Sequence, residues 1–224
     1  MLCWKICPCA PTRQTLRSSI DFASLLVYSP RGLGDISRRS RSICYRIKDG
    51  SDDVVTRAAD LIVKNVNTHG VLAPFFGGNT TLVPTPRSAP LLEGQLWPAE
   101  RICISLQHHG AAPYVERLLR REVAVPKSAI AAPGERPGPD THFATMTIEP
   151  QLAVPASITV IDDVVTRGST LIAAVSLLAE YFPDIEVRGF AVVRTMGLVP
   201  DIERIHVPAV GTIRLVGGML ERDP

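Results

Sequence analysis

The segment that most limits how this chain can fold is Ser157 to Val193. Ile158, Val160 and Ile161 make the short apolar run of a strand buried on both faces, as parallel strands are. A polar loop follows, Thr166-Arg167-Gly168-Ser169-Thr170, with one glycine to turn it tightly. Ser169 to Tyr181 then reads as an apolar helix, and Ile185 to Val193 as the next strand. The rest of the chain repeats the alternation. Helices are expected over Asp52 to Asn67, with acids in the first turn, and from Pro98 to His108, closed by Gly110. Strands are expected at Leu25–Tyr28, Ser42–Lys48, Thr81–Val83, within Val115–Val125, at His142–Ile148 and in the tail from Ile202 to Leu215. Strands alternating with helices specify an α/β fold: a mostly parallel twisted sheet flanked by helices.

The length of 224 residues suits one medium domain, and 46% hydrophobic residues suffice for a sizeable core. Residues 1–22 lack periodicity and read as a loosely ordered segment ahead of a domain spanning 23–224. Pro126 to Asp140 holds four prolines besides Gly134 and Gly138 and reads as a flexible loop without regular structure. No run of ~18 apolar residues exists, which argues against a membrane span. Cys3, Cys7 and Cys9 cluster, while Cys44 and Cys103 stand far off. An odd number with unpaired spacing argues for free thiols and a cytoplasmic location.

Charge narrows the partners. The net charge of +2 is too small for a duplex nucleic-acid binder, and 5% aromatic residues disfavour a stacking surface. Residues 1–48 nonetheless carry nine Lys/Arg against Asp21 and Asp35. Such a front end suits a polyanion, single-stranded nucleic acid included, or a phosphate site.

Asp162 and Asp163 are like charges side by side, which a fold does not need for its own stability. In a parallel sheet, ligands sit beyond the carboxyl ends of the strands, where these acids are expected. The N–H groups of residues 167–170 and the following helix N-terminus form an anion cup. The carboxylates suit sugar hydroxyls or a hydrated metal instead. A phosphate at one end with vicinal hydroxyls beside it describes a ribose 5-phosphate. Neither GxxxxGK[ST] nor a GxGxxG after a strand is present. His108-His109 has no third ligand nearby and reads as a helix end.

VIDDVVTRGSTL, residues 160–171, resembles the PRPP signature of type I phosphoribosyltransferases. Within that superfamily the chain is most similar to the ComF-like branch, through LVPTPRS at 82–88, AVPKSA at 124–129, GERP at 134–137, His142-Phe143 and VVRTMG at 192–197. The similarity runs from about Tyr45 to Gly197. It implies a type I phosphoribosyltransferase-like fold with a flexible hood at Pro126–Asp140, and an enzyme that moves phosphoribosyl from PRPP to a nitrogenous acceptor with release of pyrophosphate. Asp162 and Asp163 would hold the ribose hydroxyls. Val165, Thr166, Arg167, Gly168, Ser169 and Thr170 would bind PRPP around its 5-phosphate. Thr85, Pro86, Arg87 and Ser88 would form the pyrophosphate loop, and Lys127 and Arg136 would act from the hood. The implied cofactor is Mg²⁺, carried by PRPP near Asp162 and Asp163 rather than ligated directly. Implied partners are PRPP or another ribose 5-phosphate-containing nucleotide, and a second copy in a homodimer.

Three departures stand out. The cysteine spacing does not reproduce the paired-cysteine zinc module of many ComF-like proteins. LLEGQLWPAE stands where many carry Arg-Gly-Phe-Asn-Gln. Thr166 replaces the aspartate of 6-oxopurine enzymes and cannot act as a general base, so hypoxanthine and guanine are disfavoured acceptors. Two other readings stay open: a non-catalytic PRPP- or nucleotide-binding regulator, and a nucleic-acid-associated accessory protein using the basic front end.

Overall fold

The computed structural model describes residues 15–126, 136–149, 154–197, 199 and 201–224. Among these residues, nine strands and five α-helices follow one another as β1 (Ser19–Tyr28), α1 (Asp35–Lys48), α2 (Asp52–Asn67), β2 (Thr80–Pro84), α3 (Pro98–His108), β3 (Tyr114–Val115), β4 (Leu119–Arg121), α4 (Pro139–Ala144), β5 (Met146–Ile148), β6 (Ser157–Val165), α5 (Ser169–Tyr181), β7 (Glu186–Thr195), β8 (His206–Val216) and β9 (Met219–Asp223). Seven strands form one sheet in the order β3-β2-β6-β7-β1-β8-β9. The first five run parallel, and β8 and β9 add an antiparallel edge. A separate antiparallel pair joins β4 to β5. The expected α/β class, mostly parallel sheet and flanking helices are all present.

Two apolar layers cover the sheet. On one face Cys44 and Ile47 of α1, Ala58, Ala59 and Ile62 of α2, and Ile102, Cys103 and Leu106 of α3 pack against Leu82, Ile161, Phe190 and Val192. On the other, Leu171 to Leu178 of α5 packs with Phe143, Leu119, Val83, Val160 and Ile213. Strand residues alternate between the layers, as a period of two requires.

This arrangement creates a switch point. The connection leaving β2 runs through α3 on one face to β3. The connection leaving its neighbour β6 runs through α5 on the opposite face to β7, in the other direction. Adjacent strands whose connections diverge this way leave a crevice at their carboxyl ends.

Several elements differ from the sequence expectation. Ser42–Lys48 is the second half of helix α1, not a strand. The inner positions of α1 are Ser37, Ser40, Cys44 and Ile47, so two serines hide the helical period of its buried face. His142–Ile148 divides into the end of α4 and the strand β5, because Gly138 and Pro139 open a helix just before it. That helix also takes up the end of the Pro126–Asp140 loop; residues 127–135 lie outside the described residues. β1 begins at Ser19, so Ile20 and Phe22, both buried, belong to the sheet rather than to a loose leader. Polar Ser24 masked this run: it is fully buried, and its hydroxyl accepts a 3.0 Å bond from the Arg194 guanidinium. The tail forms two paired strands longer than expected. Among the described residues, no helix is long and apolar enough to cross a membrane.

Candidate functional site

Asp162 and Asp163 lie inside β6 rather than after it, because β7 continues to pair with β6 as far as Val165↔Arg194. β2 stops earlier: its last pair is Pro84↔Ile161. The two acids therefore sit on β6 just past the end of β2, which puts them at the switch point, Asp162 beside Thr85 and Asp163 beside Lys48 of α1.

Thr85 is the first residue beyond β2 and is held at three points. Its N–H donates to the Ile161 carbonyl at 2.9 Å, its carbonyl accepts from the Trp97 indole N–H at 2.7 Å, and its hydroxyl donates to Asp162 Oδ1 at 2.9 Å. Asp162 Oδ1 also accepts the Asp163 N–H at 3.0 Å. Asp163 Oδ1 accepts the Val164 N–H at 2.7 Å, and its Oδ2 faces Lys48 Nζ at 3.5 Å. Burial pushes the Asp162 carboxyl up to about 7, with Asp163 adding to the rise and Thr85 and Lys48 opposing it. Desolvation pulls the Lys48 ammonium down, but Asp163 and Asp162 outweigh it and leave Lys48 above its usual value. Cys44, one turn before Lys48, is buried, and burial pushes its thiol up to about 11. It is inert as a nucleophile.

The cup follows within five residues. Gly168 has φ 96°, a left-handed conformation, and its absent Cβ would lie 2.4 Å from Ile213 Cδ1. Only glycine fits there on both counts. The turn lets the 13-residue helix α5 begin at Ser169, with its N-terminal N–H groups unpaired within the helix. Thr166 and Arg167 are exposed, and Ser169 and Thr170 half-buried. The Thr166 hydroxyl lies 3.3 Å from that of Thr195. From β9, Arg222 donates to the carbonyls of Val165 at 2.9 Å and Thr195 at 2.6 Å, binding the ends of β6 and β7 together under the cup.

The remaining expected residues fall into two groups. Thr85, Pro86, Arg87 and Ser88 follow β2 as a loop against the diacid, with Thr85 and Pro86 buried. The Arg87 guanidinium turns away, donating to the Leu96 carbonyl at 2.7 Å and to Gln95 Oε1 at 3.1 Å. The Arg87 and Ser88 backbones also tie the loop to its surroundings: Arg87 O accepts from Arg121 Nε at 3.0 Å and Ser88 O from the Val125 N–H at 2.7 Å. Arg136 is exposed and has no hydrogen-bonded or ion-pair partner among the described residues. Lys127 lies outside the described residues. A cleft of about 380 Å³ opens beside the loop, lined by Pro86, Arg87, Trp97, Arg117, Leu119 and Arg121 among others.

Lys48 escapes sequence reasoning because the helix that carries it reads as a strand. His142 and Arg121 escape because nothing local marks a buried His–Arg pair. No three His, Cys, Asp or Glu side chains come together as a metal group among the described residues. Two adjacent carboxylates fit a hydrated Mg²⁺ that receives most of its oxygens from a phosphorylated ligand, which is how this ion is usually held. Scanned against protein-family models the chain matches none, and a search of curated proteins finds no match.

Proposed function

We propose that this chain is a type I phosphoribosyltransferase-like protein of the ComF-like kind. It binds PRPP with Mg²⁺ and transfers the phosphoribosyl group to a nitrogenous acceptor, releasing pyrophosphate. The observation that carries this reading is the diacid at the β2/β6 switch point, followed within five residues by a glycine-turned helix N-terminus. A ribose 5-phosphate presents vicinal hydroxyls and a phosphate on one small molecule, which suits carboxylates and an anion cup on one loop.

In this reading Asp162 and Asp163 accept the ribose hydroxyls. Their charge stabilises the positive charge that develops on the ribose as the C1–O bond breaks. Residues Thr166 to Thr170 hold the 5-phosphate with backbone N–H groups and hydroxyls. The Thr85–Ser88 loop, anchored through Thr85 and Arg87 O, lies where the pyrophosphate leaves. Mg²⁺ bound with the substrate neutralises that leaving group. Lys127 and Arg136 belong to the segment that would cover the site and exclude water.

One observation favours a second reading. Arg87, the cation of the pyrophosphate loop, is engaged with Leu96 and Gln95 rather than free to clamp an anion. A PRPP- or nucleotide-binding regulator without turnover fits that arrangement. The test is pyrophosphate release from Mg-PRPP across a panel of nitrogenous bases, alongside calorimetry of PRPP binding. Release marks the enzyme, binding without release marks the regulator, and absence of binding overturns both.

A further inference from the structure

Arg121 of β4 and His142 of α4 are buried to 2% and 4% exposure, and the transfer chemistry just described uses neither. Arg121 Nη2 lies 3.1 Å from His142 Nδ1, and His142 Nε2 lies 3.5 Å from the Thr170 hydroxyl in the cup. The same guanidinium donates to the Thr145 hydroxyl at 2.5 Å, the His142 carbonyl at 3.3 Å and, through Nε, the Arg87 carbonyl at 3.0 Å. We propose that Arg121 and His142 are positioning residues that turn the Thr170 hydroxyl proton toward a phosphate held in the Thr166–Thr170 loop. Through the same contacts they tie that loop to the Thr85–Ser88 loop. The inference rests on the phosphate reading of the cup given above.

The donors and acceptors fix the tautomer of His142. A guanidinium has five N–H donors and no acceptor. His142 Nδ1 must therefore offer its lone pair to Arg121, and an imidazolium has no lone pair to offer. The neutral ring then carries its proton on Nε2, since the bond at one ring nitrogen sets the state of the other. That N–H points at Thr170 Oγ1. A hydroxyl that receives a hydrogen bond keeps its own proton for another acceptor, and Thr170 has no other partner among the described residues. Beside a helix N-terminus, the acceptor such a proton suits is an anion. Burial and the adjacent Arg121 charge depress the His142 pKa to about 4, so the ring stays neutral at physiological pH.

Two measurements test this. Imidazole ¹⁵N spectra of the free protein should show His142 neutral and protonated on Nε2 from pH 5.5 to 8. A ring protonated on Nδ1, or an imidazolium at pH 6, overturns the relay with no ligand involved. Calorimetry with ribose 5-phosphate then uses H142N, which keeps an acceptor for Arg121 but withdraws the donor from Thr170, together with T170V and the double variant. Each single change should weaken binding by about tenfold, the worth of one hydrogen bond to a charged group, and the double variant should be no weaker than T170V alone. Additive losses overturn the relay while leaving the cup intact. Failure of the unmodified protein to bind ribose 5-phosphate overturns the phosphate reading itself, and with it any role for the relay.

Discussion

Asp162 is held at a cost that a binding site can recover and a bare fold cannot. Its native carboxyl titrates near 7 against an ordinary value of 3.8, mainly because burial disfavours the charge. The native state therefore binds this proton more tightly than the unfolded chain does. The stability it contributes is fully present below about pH 4 and lost as pH rises through about 7. D162N keeps an oxygen for the Thr85 hydroxyl and the Asp163 N–H but carries no charge. In urea denaturation it should exceed the unmodified protein by on the order of 1–2 kcal/mol at pH 8, with the advantage shrinking toward pH 5. Parallel pH profiles for the two proteins would contradict a buried, raised carboxyl. The same substitution combined with D163N should abolish PRPP binding while leaving the circular dichroism spectrum unchanged. At Gly168, alanine meets both the left-handed backbone and the fully buried Ile213 side chain. G168A should lose about 2–4 kcal/mol. At Gly138 an added Cβ meets nothing within 4 Å, so G138A should lie within about 0.5 kcal/mol of the parent.

At the scale of elements, the site is assembled from parts that were legible to different degrees. The β6–loop–α5 unit announced itself, because its strand begins with an apolar run, its helix is mostly apolar, and a short loop with one glycine separates them. Helix α1 did not. Its buried stripe is half serine, so no apolar period marked it, and the residue it brings to the site, Lys48, was invisible as such. Lys48 opposes the rise in the Asp162 pKa. K48M should therefore move the midpoint of the pH dependence of Mg-PRPP binding upward from near 7, and K48R should restore it, as calorimetry across pH 6–9 would report. An unchanged midpoint would reduce the Lys48–Asp163 pair to a surface contact. The α4–β5 region misled for a different reason. A six-residue helix is too short to show a period, and only its Gly138-Pro139 start distinguishes it from a strand.

Across the whole molecule, the site joins chain segments 77 residues apart, Thr85 and Asp162, because β2 and β6 pair as neighbours in the open sheet. A ligand gripping both the diacid and the cup should bind only the folded state. At a hundredfold excess over its Kd, Mg-PRPP should raise stability by about 2.7 kcal/mol. For a chain of this size that is a rise in Tm of roughly 5–10 °C. Differential scanning fluorimetry with the D162N/D163N variant as control tests it: equal shifts for both proteins would detach the ligand from the diacid.

Local chemistry set the class of the fold and the cup. Apolar runs of strand length alternating with helical stretches admit few architectures other than a helix-flanked parallel sheet, and the Asp-Asp pair with its glycine-turned loop carries its meaning within a dozen residues. Tertiary structure decided what no neighbouring residue encodes. The order of the strands put Thr85 against Asp162, and the packing of α1 brought a lysine to Asp163. The fold of β4 against α4 set a buried arginine behind a histidine that faces Thr170. These are contacts between distant segments, fixed by which faces bury apolar surface. A buried polar residue shows its role only once its partners surround it.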